Sequence, residues 1–308
     1  MKSNIYSNDG YEFFEQKFKS KQDLICYLKN AKTSLAFASR KLASHAESDF
    51  YFDWTKTESF EEALDFFENG WYEDFDKFLA QKKQIDKYFP YIAKKNTYHN
   101  YICGSVPNVF NAINNIPLSM RKIYKDKHPQ NIITINYNCG FPWSTTKEQI
   151  FTNGLLTLSL IDFFDSLGYR VDLRFYSISK TGNQILFIDI ILRSSGEKVN
   201  LQKLYFPFCN PSFFRRIIFR VKETTQGLNR EWSSFYGYSM PSKEIRKVLN
   251  IDENNIFINW PDQMGIKGEN IEEDIETFLN AIVLDDYIKI DEERFNICDD
   301  KHVLKKKK

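Results

Sequence analysis

The sequence is poor in the residue patterns that announce a particular chemistry. Its five cysteines (Cys26, Cys103, Cys139, Cys209, Cys298) are scattered, odd in number and contain no C-x-x-C pair. That argues against a disulfide framework and fits reduced thiols in a cytosol. The four histidines (His45, His99, His128, His302) are equally dispersed, which argues against a His/Cys zinc site. None of them falls in a loop expected at a sheet edge, so no Ser/His/Asp triad is placed there. Only 12 of the 308 residues are glycine. No phosphate-cradling G-x-x-x-x-G-K-[ST] or G-x-G-x-x-G loop occurs, and no H-E-x-x-H or G-x-S-x-G motif. The formal net charge is +1, so no global field draws the chain to nucleic acid or to an anionic membrane. The N-terminus MKSNIYSNDG has no apolar leader core, and no apolar run is long enough to span a bilayer. The expectation is a soluble, cytoplasmic protein with no membrane partner.

What is present describes a globular chain. Hydrophobic residues make up 42% and charged residues 27% of a length sufficient to bury a large core. Aromatics reach 16%, with 28 Phe and 17 Tyr. Alongside abundant Asn, Lys and Ile, this excess reads as the coding bias of an AT-rich genome. Residues 1–125 are expected to be mainly helical. Leu24, Ile25, Tyr27 and Leu28 lie at helical spacing in a segment Lys21–Asn30. Thr57 or Ser59 is a suitable N-cap for FEEALDFFENG, with Gly70 as its stop. A second helix runs from Glu73 to Phe89, with Phe75, Phe78, Leu79, Ile85 and Tyr88 on one stripe and Pro90 ending it. The two read as a helical hairpin with an aromatic core. Residues 91–130 form a connection with Pro107 and Pro117 in turn contexts and one or two helical turns at Asn108–Ile113. It reads as a strap on the main domain, or more sharply as a binding loop.

Residues 126–290 are expected to form an α/β domain. Ile132, Ile133, Thr134 and Ile135 begin a buried strand. An apolar helix, Lys147–Leu167, follows, with Gly154 inside it for close approach to the sheet and Gly168 as its cap. Val171–Ile178 is a second strand. Thr181-Gly182-Asn183 turns into an antiparallel edge or near-edge strand, Gln184–Leu192. Helices at Lys198–Phe206 and Ser212–Lys222, a loop at Trp232–Met240 and a short helix at Ser242–Leu249 come next. A strand at Asn255–Asn259 precedes an amphipathic helix Ile271–Val283. That helix turns Ile275, Phe278, Leu279, Ile282 and Val283 inward and Glu272, Glu273, Asp274 and Glu276 outward. Residues 291–308 are a tail ending in KKKK. The fold class is α/β: a Rossmann-like, mostly parallel sheet with an antiparallel edge strand and a helical N-terminal region.

The order strand, long helix, strand, turn, antiparallel strand, helices, strand, helix over about Asn131 to Val283 resembles that of von Willebrand factor A-like domains. The resemblance implies a cation-binding turn after the first strand, of the form Asp-x-Ser-x-Ser. Here that turn reads Asn136-Tyr137-Asn138-Cys139-Gly140, without the carboxylate or either hydroxyl. It also implies an Asp after the fourth strand, and Asp262 falls there. A degenerate Mg²⁺ site would therefore use Asn136, Asn138, Asp262 and Thr145 or Thr146, although magnesium ordinarily demands more carboxylate. The alternative is that Asn136 and Asn138 tie the turn together through side-chain to backbone hydrogen bonds. Loops at the carboxyl ends of parallel strands are the natural ligand face of an open sheet. Trp143 and Trp260 lie on them as candidate partner anchors. A second, fainter similarity links the Gly70-Trp71, Val106-Pro107 and Asn115-Ile116-Pro117-Leu118-Ser119-Met120 segments to proteins encoded by tailed bacteriophages, which would put the chain in a host cytoplasm.

Two further patterns bear on chemistry. Asp172, Asp189, Glu197 and Lys198 superficially resemble the acidic and lysine pattern of a metal nuclease, with Arg174 as a ready partner for Asp189. Arg215, Arg216, Arg220 and Lys222 lie in an aromatic-rich helix and would make salt-dependent phosphate contacts if exposed. The expected function is a non-catalytic protein-interaction or assembly role using the strand-end loops. Nucleic-acid binding or a metal-dependent nuclease is the alternative.

Overall fold

A computed structural model describes residues 2–8, 10–46, 54–88, 97–103, 106–114, 116–124, 132–167, 169–240 and 255–282. The chain opens with a hairpin, β1 (Lys2–Asn8) and β2 (Tyr11–Phe18), and the helix α1 (Lys21–Asn30). Helices α2 (Phe60–Asn69) and α3 (Phe75–Ile85) follow. A small unit comprises β3 (Thr97–Tyr101), β4 (Val106–Pro107), α4 (Val109–Ile113) and β5 (Met120–Tyr124). The α/β body contains β6 (Ile132–Asn138), α5 (Lys147–Leu167), β7 (Arg170–Thr181) and β8 (Gln184–Arg193). It continues with α6 (Leu201–Cys209), a π-helical turn Phe213–Ile218, α7 (Phe219–Thr224), α8 (Trp232–Phe235) and β9 (Tyr238–Ser239). Strand β10 (Ile256–Ile258) and helices α9 (Pro261–Met264) and α10 (Ile271–Ala281) complete it.

The main sheet has the order β1-β2-β8-β7-β6-β10, with β9 paired to β7 beyond the end of β6. Strands β7, β6 and β10 are parallel, β8 is antiparallel to β7, and β2 runs parallel to β8. The edge strand β1 is antiparallel to β2. The sheet is thus a mixed, mostly parallel one of generic Rossmann-like type with an antiparallel edge. Strand β8, expected at or near an edge, is paired on both sides because the N-terminal hairpin adds onto it. That hairpin stands where only polar chain and a helix were expected.

Alternation along the strands divides the side chains between two layers. Ile133, Ile135, Leu173, Phe175, Leu186, Ile188 and Ile190 join the large core beneath the helices. Phe13, Tyr176, Ile178, Ile185, Phe187 and Phe257 form a smaller cluster on the opposite face with Met240. Helix α5 is buried on nearly every side, as its sequence implies. Its Gly154 makes a close approach, but to α6 rather than to the sheet: a Cβ there would meet the Phe208 carbonyl oxygen at 2.4 Å. Ser59 caps α2 by accepting from the Glu62 amide at 3.0 Å, while Thr57 turns inward. The aromatic stripe of the helical hairpin is core, with Trp71 stacked on Tyr205 at 4.6 Å and Phe78 against the same ring. Trp232–Met240 is a short helix and a strand rather than a loop. Asp274, expected to face solvent, is buried and accepts the Lys267 and Gly268 amides at 2.8 Å each. The expected helix Ser242–Leu249 and the tail 291–308 lie outside the described residues. Among the described residues no helix is long and apolar enough to cross a membrane.

Candidate functional site

The carboxyl ends of β6 and β10 bring two loops together. Asn138 closes its own turn, its Oδ1 accepting the Gly140 amide at 3.0 Å, and its Nδ2 donates to Asn259 Oδ1 at 2.9 Å. Asn153 of α5 donates to the Asn259 carbonyl at 3.1 Å, so the helix also holds this junction. Farther along, Thr145 Oγ1 donates to Asp262 Oδ2 at 2.9 Å, and Gln149 Nε2 donates to Asp262 Oδ1 at 3.1 Å. Gln149 is fixed by a reciprocal cap: its amide donates to Thr146 Oγ1 at 3.2 Å, and Thr146 N donates to Gln149 Oε1 at 2.8 Å. The T-x-x-Q spacing at Thr146–Gln149 is the sequence signal for that capping box. It identifies Gln149 as a site residue that strand-end reasoning alone does not.

The four residues expected around a cation are therefore partly assembled, but as a hydrogen-bonded clamp. Asp262 supplies one carboxylate with both oxygens engaged, and Asn138 is occupied by Gly140 and Asn259. Asn136 is buried in β6 with its Nδ2 unpartnered, and it pairs in register with Phe257 and Arg174. Among the described residues no group of three or more His, Cys, Asp or Glu side chains is placed to hold a metal. This donor set does not fit magnesium, which takes near-octahedral oxygen coordination and usually one or two free carboxylates.

The two candidate tryptophans part company. Trp143 stands 85% exposed between buried Phe141 and buried Thr145, at the apex of the clamped loop. Trp260 is only 7% exposed and belongs to the core, which corrects its reading as an anchor.

The cationic segment after α6 faces inward. Arg216 is 1% exposed; its Nε donates to Thr57 Oγ1 at 2.7 Å, and its guanidinium reaches the Ser44 and Thr57 carbonyls at 3.1 and 2.7 Å. Arg220 donates to Thr33 Oγ1 and the Ala31 carbonyl. Arg215 lies over the Trp54, Phe214 and Phe219 rings. Lys222, also 1% exposed, donates to Ser179 Oγ at 2.7 Å and to the Tyr236 carbonyl at 3.0 Å. Burial, reinforced by Arg215, pulls its pKa down to about 7. Next to it, Glu223 is fully buried and accepts from Ser44 Oγ at 2.5 Å and from the Tyr236 hydroxyl at 2.8 Å. Cys139, on the same side of the sheet, has its thiol pushed up to about 12 by burial and is not a nucleophile near neutral pH. In the set expected to meet phosphate, Arg216 and Arg220 instead tie residues 31–46 and Thr57 to the helices, and Lys222 ties α7 to Ser179 and Tyr236. A buried guanidinium or ammonium with protein acceptors has no path to a strand of nucleic acid.

The nuclease-like set is likewise divided. Asp189 pairs with Arg174 at 2.5 Å, Asp172 accepts the Ser195 amide, and Glu197 and Lys198 are exposed beyond the end of β8.

Comparison with known proteins gives one finding. A family model described as a domain of unknown function (DUF7192) matches residues 6–286. No match was found among curated proteins or among solved structures.

Proposed function

The chain belongs to the DUF7192 family, whose description carries no activity, and we propose from the geometry that it is a protein-interaction or assembly module. Trp143 carries this reading. A tryptophan left in solvent at the tip of a loop fixed on both sides is a pre-ordered anchor, and large aromatics of this kind dominate the energetics of protein interfaces. The clamp made by Thr145, Asp262 and Gln149 supports the same reading, because it holds the loop without a ligand. On this view the body is von Willebrand A-like, with the cation position taken over by hydrogen bonds. The small β3-β5-β4 unit points the same way: α4 buries none of its residues and leaves Val109, Phe110 and Ile113 in solvent. Nucleic-acid binding through Arg215, Arg216, Arg220 and Lys222 has no comparable support, since Arg216 and Lys222 are internal.

The test is a photo-crosslinking residue placed at position 143, with exposed Glu231 as the control position, in cells expressing the full chain. A discrete adduct at 143 and none at 231 is the expected result. Equal or absent labelling at the two positions overturns the proposal. Trp143→Ala should leave the melting temperature within a degree or two, because an exposed side chain contributes about 0.5 kcal/mol or less to stability.

A further inference from the structure

Because β2 and β8 run opposite to β6, β7 and β10, their carboxyl ends lie at the other end of the sheet. A cleft of about 310 Å³ opens there. Its floor is apolar, formed by Phe67, Ile191, Leu204 and Pro207. Its walls carry Lys19 and Lys21 where β2 passes into α1, and Lys198 and Lys203 around the start of α6. None of these four lysines forms an ion pair with another described residue. Lys21 is half-buried, rests over the Phe67 ring at 4.9 Å and donates to the Glu68 carbonyl at 3.3 Å. The cations already matched are separate: Arg193 is held by Asp165, and the Glu68 carboxylate is taken by Lys29 at 2.6 Å. Glu197 is exposed at the rim, so lysines outnumber the carboxylates that line the cleft.

Asp23 offsets part of the charge of Lys19 and Glu68 part of that of Lys21, which leaves an excess of positive charge around an apolar floor. Helix α6, whose first turn carries no acidic residue, also begins at this cleft, and its positive end adds to the same field, whereas the start of α1 is offset by Asp23. The volume lies at the lower bound of small-molecule sites. We propose that this cleft binds a phosphorylated small molecule of about nucleotide size, its phosphate among the four lysines and its less polar body on the Phe67–Leu204 floor. Lys21 is consistent with the assignment: burial first and the nearby charge of Lys203 second lower its pKa to about 8, and an anion bound beside it would raise that value again.

The experiment measures binding to the full chain by calorimetry and by thermal shift, using ADP, inorganic phosphate, adenosine and a twelve-nucleotide single strand. ADP is expected to bind and raise the melting temperature, phosphate to compete with it, and adenosine to do neither. Lys19 and Lys203 are exposed, so Lys19→Gln with Lys203→Gln tests the site without disturbing the core. The double variant should weaken ADP by about tenfold or more, as expected for lost charge-assisted hydrogen bonds. Silence of both ADP and phosphate overturns the assignment. So does ADP binding that survives the double substitution, and so does binding of the oligonucleotide alone.

Discussion

Lys222 carries an ammonium into the interior, where it meets neutral partners: Ser179 Oγ, the Tyr236 carbonyl and the Phe214 and Phe219 rings. Its folded pKa of about 7 lies below its ordinary value of 10.5, with burial the main cause and Arg215 the second. Between those two values the unfolded chain holds a proton that the folded chain has released, so this residue's contribution to stability rises with pH. Below pH 7 both states are protonated and the full penalty of burying the charge is present. Lys21 acts in the same direction from about pH 8, and Cys139 acts oppositely above its ordinary value of 9.0. Comparing the wild type with Lys222→Met isolates the residue. The variant's advantage in melting temperature at pH 7 should shrink as pH rises to 9. A difference independent of pH would show that the ammonium stays charged in the fold.

At the scale of elements, Gly154 sets the contact between α5 and α6. Gly154→Ala puts a methyl group 2.4 Å from the Phe208 carbonyl oxygen, so the helices must move apart. A loss of about 1–3 kcal/mol in chemical denaturation is expected, even though alanine is the better helix former. Unchanged stability would mean that the pair slides freely. The helices were the readable part of this molecule: α1 and α5 begin and end where periodicity and turn residues place them, because helix stripes and caps are local signals. The hairpin β1-β2 was not readable in the same way. Strand β1 is exposed along nearly its whole length, so no burial alternation marks its sequence, and its partner β8 lies far along the chain. The candidate site shows the same divide. The meeting of Thr145 with Asp262 follows from strand-end logic, whereas the opposite fates of Trp143 and Trp260 depend on packing that residue type does not encode. The turn at Phe213–Ile218 is π-helical, a departure from the α period that its residue types do not announce, and Arg216 and Lys222 are buried.

For the molecule as a whole, a sheet with strands running both ways has carboxyl ends at both of its poles. The Trp143 loop occupies one and the lysine cleft the other, so the proposed partner and the proposed small ligand would not compete for one face. The hairpin is what completes the second pole, because β2 leads through Lys19 into α1. Removing residues 2–18 takes away buried Phe13, Phe14 and Phe18 and leaves β8 as an open edge rich in Ile, Leu and Phe. Open apolar edges pair with other chains. The truncated protein is expected to elute as aggregate in size-exclusion chromatography with light scattering, where the intact chain does not. A monomeric truncation with an unchanged melt would show that β8 needs no cover.

The pairing of Phe18 with Ile190 also has a consequence in time. The hairpin leaves the ribosome before its docking strand, which is made about 170 residues later. At about 5–20 residues per second, that is an interval of about 10–30 s during translation. An isolated two-stranded hairpin is marginal in water. Throughout that interval the nascent chain carries an unsheltered aromatic segment, Tyr11–Phe18, whose proper partner has not yet been synthesised. The birth of this protein is thus a period when a chaperone at the exit tunnel has something definite to hold.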